Sequence, residues 1–237
     1  KNTDPIKIDM KKKIIAFIFA RGGSKGLPNK NILKINGIPL IGHAVNKAKE
    51  AGINEIYVSS DSELILETAS KFDVKLIKRP DYLATDTASE VDAWKHAINV
   101  VSEKKSFDVF VSVPCTAPLR SADDIKNSIN LLDDRTDLVI TVTEANRNPY
   151  FNMVSIDSNG YCKTLFSNSN ISRRQDAPKI YDITTVAYVA KPNYILEVNN
   201  ILSGAVKAYV VPKERSIDID DEIDFVVAEK IFERNIR

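Results

Sequence analysis

"IIAFIFARGGSKGLPNKN", Ile14 to Asn31, runs as six apolar residues and Ala20 into three glycines and three positive charges, Arg21, Lys25 and Lys30. A short continuous apolar run bounded by glycine predicts a strand buried on both faces, the kind found inside parallel sheets. Working outward, Glu55–Ser59, Val74–Ile77 and Phe107–Val113 read as further strands. Between them Pro39–Ala51, Ser62–Lys71 and Ser89–Glu103 carry 3.6-residue apolar spacing; Val91, Trp94, Ala97, Ile98 and Val101 fall on one helix face. Such alternation predicts an α/β fold, a Rossmann-like doubly wound and mainly parallel sheet with right-handed crossovers. Ligands on these sheets bind at the carboxyl ends of the strands, which places the glycine loop and the segments after Ser59 and Val113 along one edge.

The rhythm breaks after Val142. Residues 144–183 hold turn signals (Asn148-Pro149, Asn159-Gly160), short strand candidates and the polar run "SNSNISRRQDAP". They read as an inserted arm that contacts a partner. The α/β domain then comprises residues 10–143 and 184–237, resuming with a strand at Thr185–Ala190, a helix near Asn193–Leu202, a strand at Val206–Val211 and a closing helix from Asp221 to Arg234. With 237 residues, 43 % of them hydrophobic, the chain can build one large core. Its formal net charge of +1 points away from nucleic acid and from a membrane surface, so any cationic site is local. The apolar run Ile14–Ala20 falls far short of a membrane span. Lys11 to Lys13 ahead of it imitate a signal peptide, but Arg21 and Lys25 follow at once and no small-residue cleavage site does, so a cytoplasmic protein is expected. Residues 1–9 read as an irregular leader. Cys115 and Cys162 lack any metal or disulfide spacing and are expected as buried or incidental thiols.

Glycines 22, 23 and 26 allow close backbone approach and positive φ, and Arg21, Lys25 and Lys30 supply charge, as a phosphate-binding loop needs. A helix N-terminus nearby would add to it. Neither the Walker pattern nor GxGxxG is present; the competing reading is a plain strand-to-helix turn with solvated lysines. Asp218 and Asp220 would leave one face of an extended segment, and two hard oxygen ligands suit Mg²⁺ completed by substrate phosphates. Equally, Asp220 and Asp221 would serve as caps of the last helix, with Asp224 in its first turn. His43 and His96 have no carboxylate partner by spacing and read as satisfied or exposed histidines. Trp94 and the aromatics near Phe151 read as core or subunit interface.

"ARGGSKGLPNKN" resembles the signature of the acylneuraminate cytidylyltransferase family, the CMP-sialic acid synthetases and related CMP-nonulosonate synthetases. The likeness continues in order through "RPDYLATDTAS" (79–89), "TAPLR" (116–120), "RQDAP" (174–178) and "SIDIDDEIDF" (216–225). It implies a fold of the nucleotide-diphospho-sugar transferase type and a homodimer joined through the arm, which also contacts the sugar. The implied reaction is Mg²⁺-dependent: CTP and an acidic 2-keto-3-deoxy sugar give CMP-sugar and pyrophosphate. Position by position, Arg21 and Lys30 would stabilise the triphosphate. Ala20, Gly22, Gly23, Ser24, Lys25 and Asn31 would hold the nucleotide, with Arg79, Asp86 and Ser89 shaping its pocket. Asp218 and Asp220 match the family's metal-binding aspartates, leaving Asp221 as the cap. Thr116, Arg174 (from the partner subunit), Thr184 and Tyr188 would face the sugar. The sugar half departs from the sialic-acid enzymes: Pro114 stands where they carry a glutamine, Asp182-Ile183-Thr184-Thr185 replaces Arg-Pro-Asn-Gly, and Phe151 replaces a basic residue. Two other readings are an enzyme for an eight-carbon, KDO-like sugar and a non-catalytic nucleotide-binding module.

Overall fold

The computed structural model describes residues 12–24, 26–166 and 173–236; the leader, Lys25 and the first half of the polar run lie outside that set. The chain opens with β1 (Ile14–Phe19), a small ladder of β2 (Lys34–Ile35) with β3 (Ile38–Pro39), and α1 (Leu40–Glu50). It continues through β4 (Ile56–Ser60), α2 (Glu63–Ser70), β5 (Lys75–Lys78), α3 (Glu90–Ser102), β6 (Val109–Ser112), α4 (Ala122–Asn130) and β7 (Leu138–Glu144). The arm contributes β8 (Val154–Ile156) and β9 (Cys162–Thr164). After it come β10 (Tyr181–Ala190), α5 (Pro192–Glu197), β11 (Val206–Val210) and α6 (Glu222–Ile236).

Seven strands form one sheet in the order β11-β7-β10-β6-β1-β4-β5. β1 pairs in parallel with β4 and β6 on either side, so the strand read first from sequence lies inside the sheet, beside its central strand β6. β10 is antiparallel to both its neighbours, β6 and β7, and the other pairings are parallel. β10 begins at Tyr181, opposite Glu144, so Glu144, Tyr181, Asp182 and Ile183, all within the segment read as arm, belong to the main sheet. Its register against β7 jumps between Thr184 and Tyr188, leaving a bulge at 185–187. The hydroxyl of Thr141 plugs the bulge, accepting from Ala187 N and donating towards Thr184 O and Ala187 O.

Alternate residues of β1 feed two cores. Ala16, Ile18 and Ala20 face α1, α2 and α4 with Leu40, Ile41, Val45, Ile65 and Ile125. Ile15 and Phe17 face the opposite layer, where Trp94, Ala97, Ile98 and Val101 of α3 pack with Ile195 of α5. Phe17, Phe110, Trp94 and Tyr188 form a continuous aromatic chain with centroids 5.0–5.3 Å apart, a spacing suited to offset or tilted rings. In the arm, both turn signals are realised: Asn148 O accepts from Phe151 N, and Gly160 (φ 87) closes the turn between β8 and β9.

Candidate active site

The strands end where the sheet topology predicts ligands, and two adjoining hollows open there, of about 290 Å³ and 420 Å³. They share Phe19 and Arg21. The first is walled by Arg79, Thr85, Asp86, Ser89 and Glu90; the second by Ser24, Gly26, Lys30, Asn31, Thr116 and Asp220. Segments up to 200 residues apart in sequence thus meet at one edge. A larger open depression of about 650 Å³ lies beyond the 82–89 segment, past Tyr82 and His96.

The glycine loop does not run into a helix. It enters a single 3-10 turn, Lys30–Ile32, and α1 starts only at Leu40; the helix start beside the loop is instead that of α2, whose N-cap residue Ser62 stands next to Gly22. Its glycines do separate work. Gly23 alone of the three has positive φ, 67°. Gly22 permits close approach: its N–H donates to Asp61 Oδ1 at 2.9 Å, and a Cβ there would stand 3.1 Å from Asp61 Oδ2. At Gly26 a Cβ would stand 2.4 Å from the backbone oxygen of Asp220, so the loop packs directly on the carboxylate segment. Asn31, buried, donates from Nδ2 to Arg21 O at 3.0 Å and fixes the loop's first bend.

Charges in the cleft are paired across it. Arg21 Nη1 donates to Asp86 Oδ1 at 3.1 Å and to Thr85 O at 3.3 Å. Lys30 Nζ donates to Asp220 Oδ1 at 3.0 Å. Arg79 is buried, donating to Ser59 O at 2.8 Å and Ser59 Oγ at 3.3 Å, with its guanidinium 5.7 Å from the Phe19 ring. Burial lowers its pKa, opposed by the carboxylates of Asp61 and Glu90. Ser89 caps α3, its Oγ accepting from Val91 N.

Asp218 and Asp220 flank Ile219, which is fully buried and donates its N–H to Thr116 O at 2.8 Å. Asp221 caps α6: its Oδ1 accepts from Asp224 N, and Asp224 Oδ2 returns to the N–H groups of Asp220 and Asp221. The helix-capping duty therefore falls on Asp221 and Asp224, and the side chains of Asp218 and Asp220 take no part in it. Asp220 is exposed to the cleft, while Asp218 Oδ1 is buried without a hydrogen-bond partner among the described residues. Asp220 lines the hollow and Asp218 does not, but an orphaned buried carboxylate oxygen two residues from an open one offers hard oxygen donors of the kind that suit a divalent cation.

At the opposite side of Thr116, its hydroxyl lies 3.4 Å from that of Thr185. Thr184 points inward, buried, and donates to Thr141 Oγ1 at 2.8 Å. Tyr188 is largely buried against Trp94; burial, with Glu90 and Asp218 adding to it, pushes the phenol up to about 12, so it is protonated at neutral pH. Arg120 is fully buried and donates from Nη2 to Pro114 O and Thr185 O, tying the turn at 114–116 to the bulge; burial pushes it down to about 10. Cys115 is buried, its thiol pushed up to about 12 by burial, and Cys162 is exposed on β9. Arg174 begins a 3-10 turn, Arg174–Asp176, and its side chain, like Lys25, lies outside the described set. Sequence reasoning missed Phe19, Asp61, Glu90 and Thr185 in the cleft, each of which meets partners remote in sequence.

A family model described as "Cytidylyltransferase" matches residues 15–219. The chain is 33 % identical over 231 residues to the post-translational flagellin modification protein B of Campylobacter coli, covering 95 % of this chain and 97 % of that one. It is 34 % identical to the CMP-N,N'-diacetyllegionaminic acid synthase of Campylobacter jejuni, covering 92 % and 94 %. It is 30 % identical to the N-acylneuraminate cytidylyltransferase of Escherichia coli, covering 96 % of this chain but 54 % of that one, so it spans about half of that relative's length. Among solved structures, a CMP:2-keto-3-deoxy-manno-octonic acid synthetase complexed with CTP superposes with a TM-score of 0.72 at 16 % identity, covering 94 % of this chain and 99 % of the other. That likeness establishes the fold.

Proposed function

The chain belongs to the cytidylyltransferase family, and on that premise we propose that it activates an acidic 2-keto-3-deoxy nonulosonate, converting CTP and the sugar to CMP-sugar and pyrophosphate. The observation that carries this reading is the meeting of Arg21, Lys30, Ser24 and Asp220 around one hollow. The relatives at about one-third identity over nearly their whole length include one named as a CMP-N,N'-diacetyllegionaminic acid synthase; a pseudaminic acid cytidylyltransferase is 30 % identical.

In this reading the anomeric hydroxyl oxygen attacks the α-phosphorus, the α–β bridging bond breaks with its electrons leaving on pyrophosphate, and the hydroxyl proton is released. No protein nucleophile is required, so alignment and charge neutralisation carry the catalysis. Arg79, Phe19, Asp86 and Ser89 form the base and ribose end of the cleft. The loop backbone, Ser24, Arg21 and Lys30 receive the phosphates; Lys25 would assist. Asp218 and Asp220 would hold Mg²⁺, which when bound offsets triphosphate charge and polarises the α-phosphate. Thr116, Tyr188 and the bulge at Thr184–Thr185 form the sugar end, completed by Arg174 of a second subunit. Thr185 Oγ, not the inward Thr184 hydroxyl, is the group that faces Thr116 there. Among the described residues no helix is long and apolar enough to cross a membrane; a cytoplasmic homodimer is proposed.

The test is pyrophosphate release with CTP, Mg²⁺ and a panel of neuraminate, legionaminate, pseudaminate and the eight-carbon 2-keto-3-deoxy-octonate. Turnover with a nine-carbon acid supports the reading. Turnover with the octonate alone moves the assignment to the eight-carbon class, and CTP binding without turnover on any sugar moves it to the non-catalytic reading.

A further inference from the structure

The backbone that carries Asp218 and Asp220 is tied down at three points, two of them already described: Ile219 N to Thr116 O, and the Asp221–Asp224 cap. The third lies upstream. Arg215 ends the 3-10 turn Lys213–Arg215, three residues before Asp218. Its Nε donates to Asp124 Oδ2 at 2.8 Å and its Nη2 to Asp124 Oδ1 at 2.9 Å, a bidentate fork. The Asp124 side chain is fully buried, whereas that of Arg215 is 37 % exposed. Asp124 is itself fixed: it is the third residue of α4, its Oδ2 accepts from Ser121 N at 2.8 Å, and its own N–H donates back to Ser121 Oγ. A buried carboxylate is costly unless paired, and a guanidinium fork fixes orientation as well as charge. The helix start therefore acts as a rigid post to which the extended segment 216–220 is clamped.

We propose that Arg215, held by Asp124, is a positioning residue that sets where the Asp218 and Asp220 carboxylates stand, and that it governs affinity for the divalent cation without governing affinity for the nucleotide. This rests on the reading of Asp218 and Asp220 as the cation's ligands. The clamp is made to α4, which packs on the face of the sheet opposite α3, and neither Asp124 nor Arg215 lines the base and ribose pocket, whose walls come from Phe19, Arg21 and residues 79–93. Releasing it leaves Ile219 as the pivot, and Asp218, one residue upstream of that pivot, takes the displacement first. Lysine keeps the charge of Arg215 and loses the fork, so it separates geometry from electrostatics.

The experiment titrates Mn²⁺ alone into the protein, read by water-proton relaxation, and measures CTP binding separately without metal. The variants are Arg215→Lys, the pair Arg215→Met with Asp124→Asn (which leaves no unpaired buried charge), and the pair Asp218→Asn with Asp220→Asn. Both clamp variants are expected to bind Mn²⁺ about 10- to 100-fold more weakly, the usual effect of losing an outer support of metal ligands, with the Mg²⁺ needed for half-maximal rate rising equally and CTP affinity unchanged. Wild-type Mn²⁺ affinity in both clamp variants overturns the proposal. So does a fall in CTP affinity as large as the fall in Mn²⁺ affinity, which marks general damage. If the Asp218→Asn, Asp220→Asn pair binds Mn²⁺ as the wild type does, the ligand reading fails and the proposal falls with it.

Discussion

At the scale of single residues, the cleft depends on contacts that leave no room. Gly26→Ala puts a methyl group 2.4 Å from the Asp220 carbonyl oxygen, and a backbone atom cannot swing aside. Loop and carboxylate segment should separate, costing about tenfold or more in kcat/KM with little change in the urea midpoint; a wild-type rate would refute the packing argument. Arg21→Ala and Asp220→Ala should each lose on the order of 10²–10³ in turnover without unfolding, and near-wild-type pyrophosphate release in either would remove it from the site. His43 titrates against stability. It is buried on α1, Nε2 at 2.9 Å from Ile35 O, and burial lowers its pKa from 6.5 while that carbonyl opposes the shift. Above about pH 6.5 it is neutral folded or unfolded; as pH falls through that value the unfolded chain takes the proton first, so stability is lost until the folded-state value is passed. Thermal melts from about pH 7.5 to about pH 5.5 should show a decline that His43→Gln reduces but does not abolish, because His96 is also lowered by burial. The cationic residues of the loop were legible because charge beside glycine has a local meaning. Asp61, 39 residues from Gly22, and Asp124, 91 residues from Arg215, were not, because nothing local marks such partners.

Among the elements, what was readable followed the hydrophobic period. β1 and α3 were plain because one is apolar throughout and the other keeps five apolar residues on one face; the middle of β1 is buried, as are Trp94, Ala97, Ile98 and Val101, with Val91 partly exposed at the helix start. The direction of β10 was not readable, since apolar alternation is the same for a strand running either way. Nor was its bulge, which depends on Thr141 of a neighbouring strand filling the gap. α1 offers a test of packing against propensity. Alanine is favoured over glycine in a helix interior by about 1 kcal/mol, yet a Cβ on Gly42 would lie 2.4 Å from Phe72 Cζ and 2.9 Å from Ile38 Cγ2. The ring is wedged against α1, so overlap should win and Gly42→Ala should destabilise by about 1–3 kcal/mol net in urea unfolding. Phe72→Leu in the same chain should recover part of that. A single variant more stable than the wild type would show that the ring turns away at little cost.

For the molecule as a whole, the arm is the part that the described residues leave most exposed. β8 and β9 form a two-stranded hairpin, and such a unit is marginal in water without something packed on it. Val154, Ile156, Tyr161, Leu165 and Phe166 are all exposed along it, and Tyr181 and Ile183 extend the apolar surface onto the adjoining end of β10. A concentration of exposed apolar side chains of this kind marks an interface, and a two-fold pairing would let each subunit cover the other's arm with one self-complementary surface. Light scattering should therefore give about twice the chain mass of 26.4 kDa. Ile156→Asp with Leu165→Asp should give a monomer, because a charge buried in that contact is heavily penalised. Such a monomer should still bind CTP, whose hollows are built from one chain, and should lose sugar turnover, because Arg174 would no longer reach a partner's cleft. Full turnover in the monomer would place the whole sugar site within one subunit, and a wild-type monomer would leave the apolar face of the arm to some other partner.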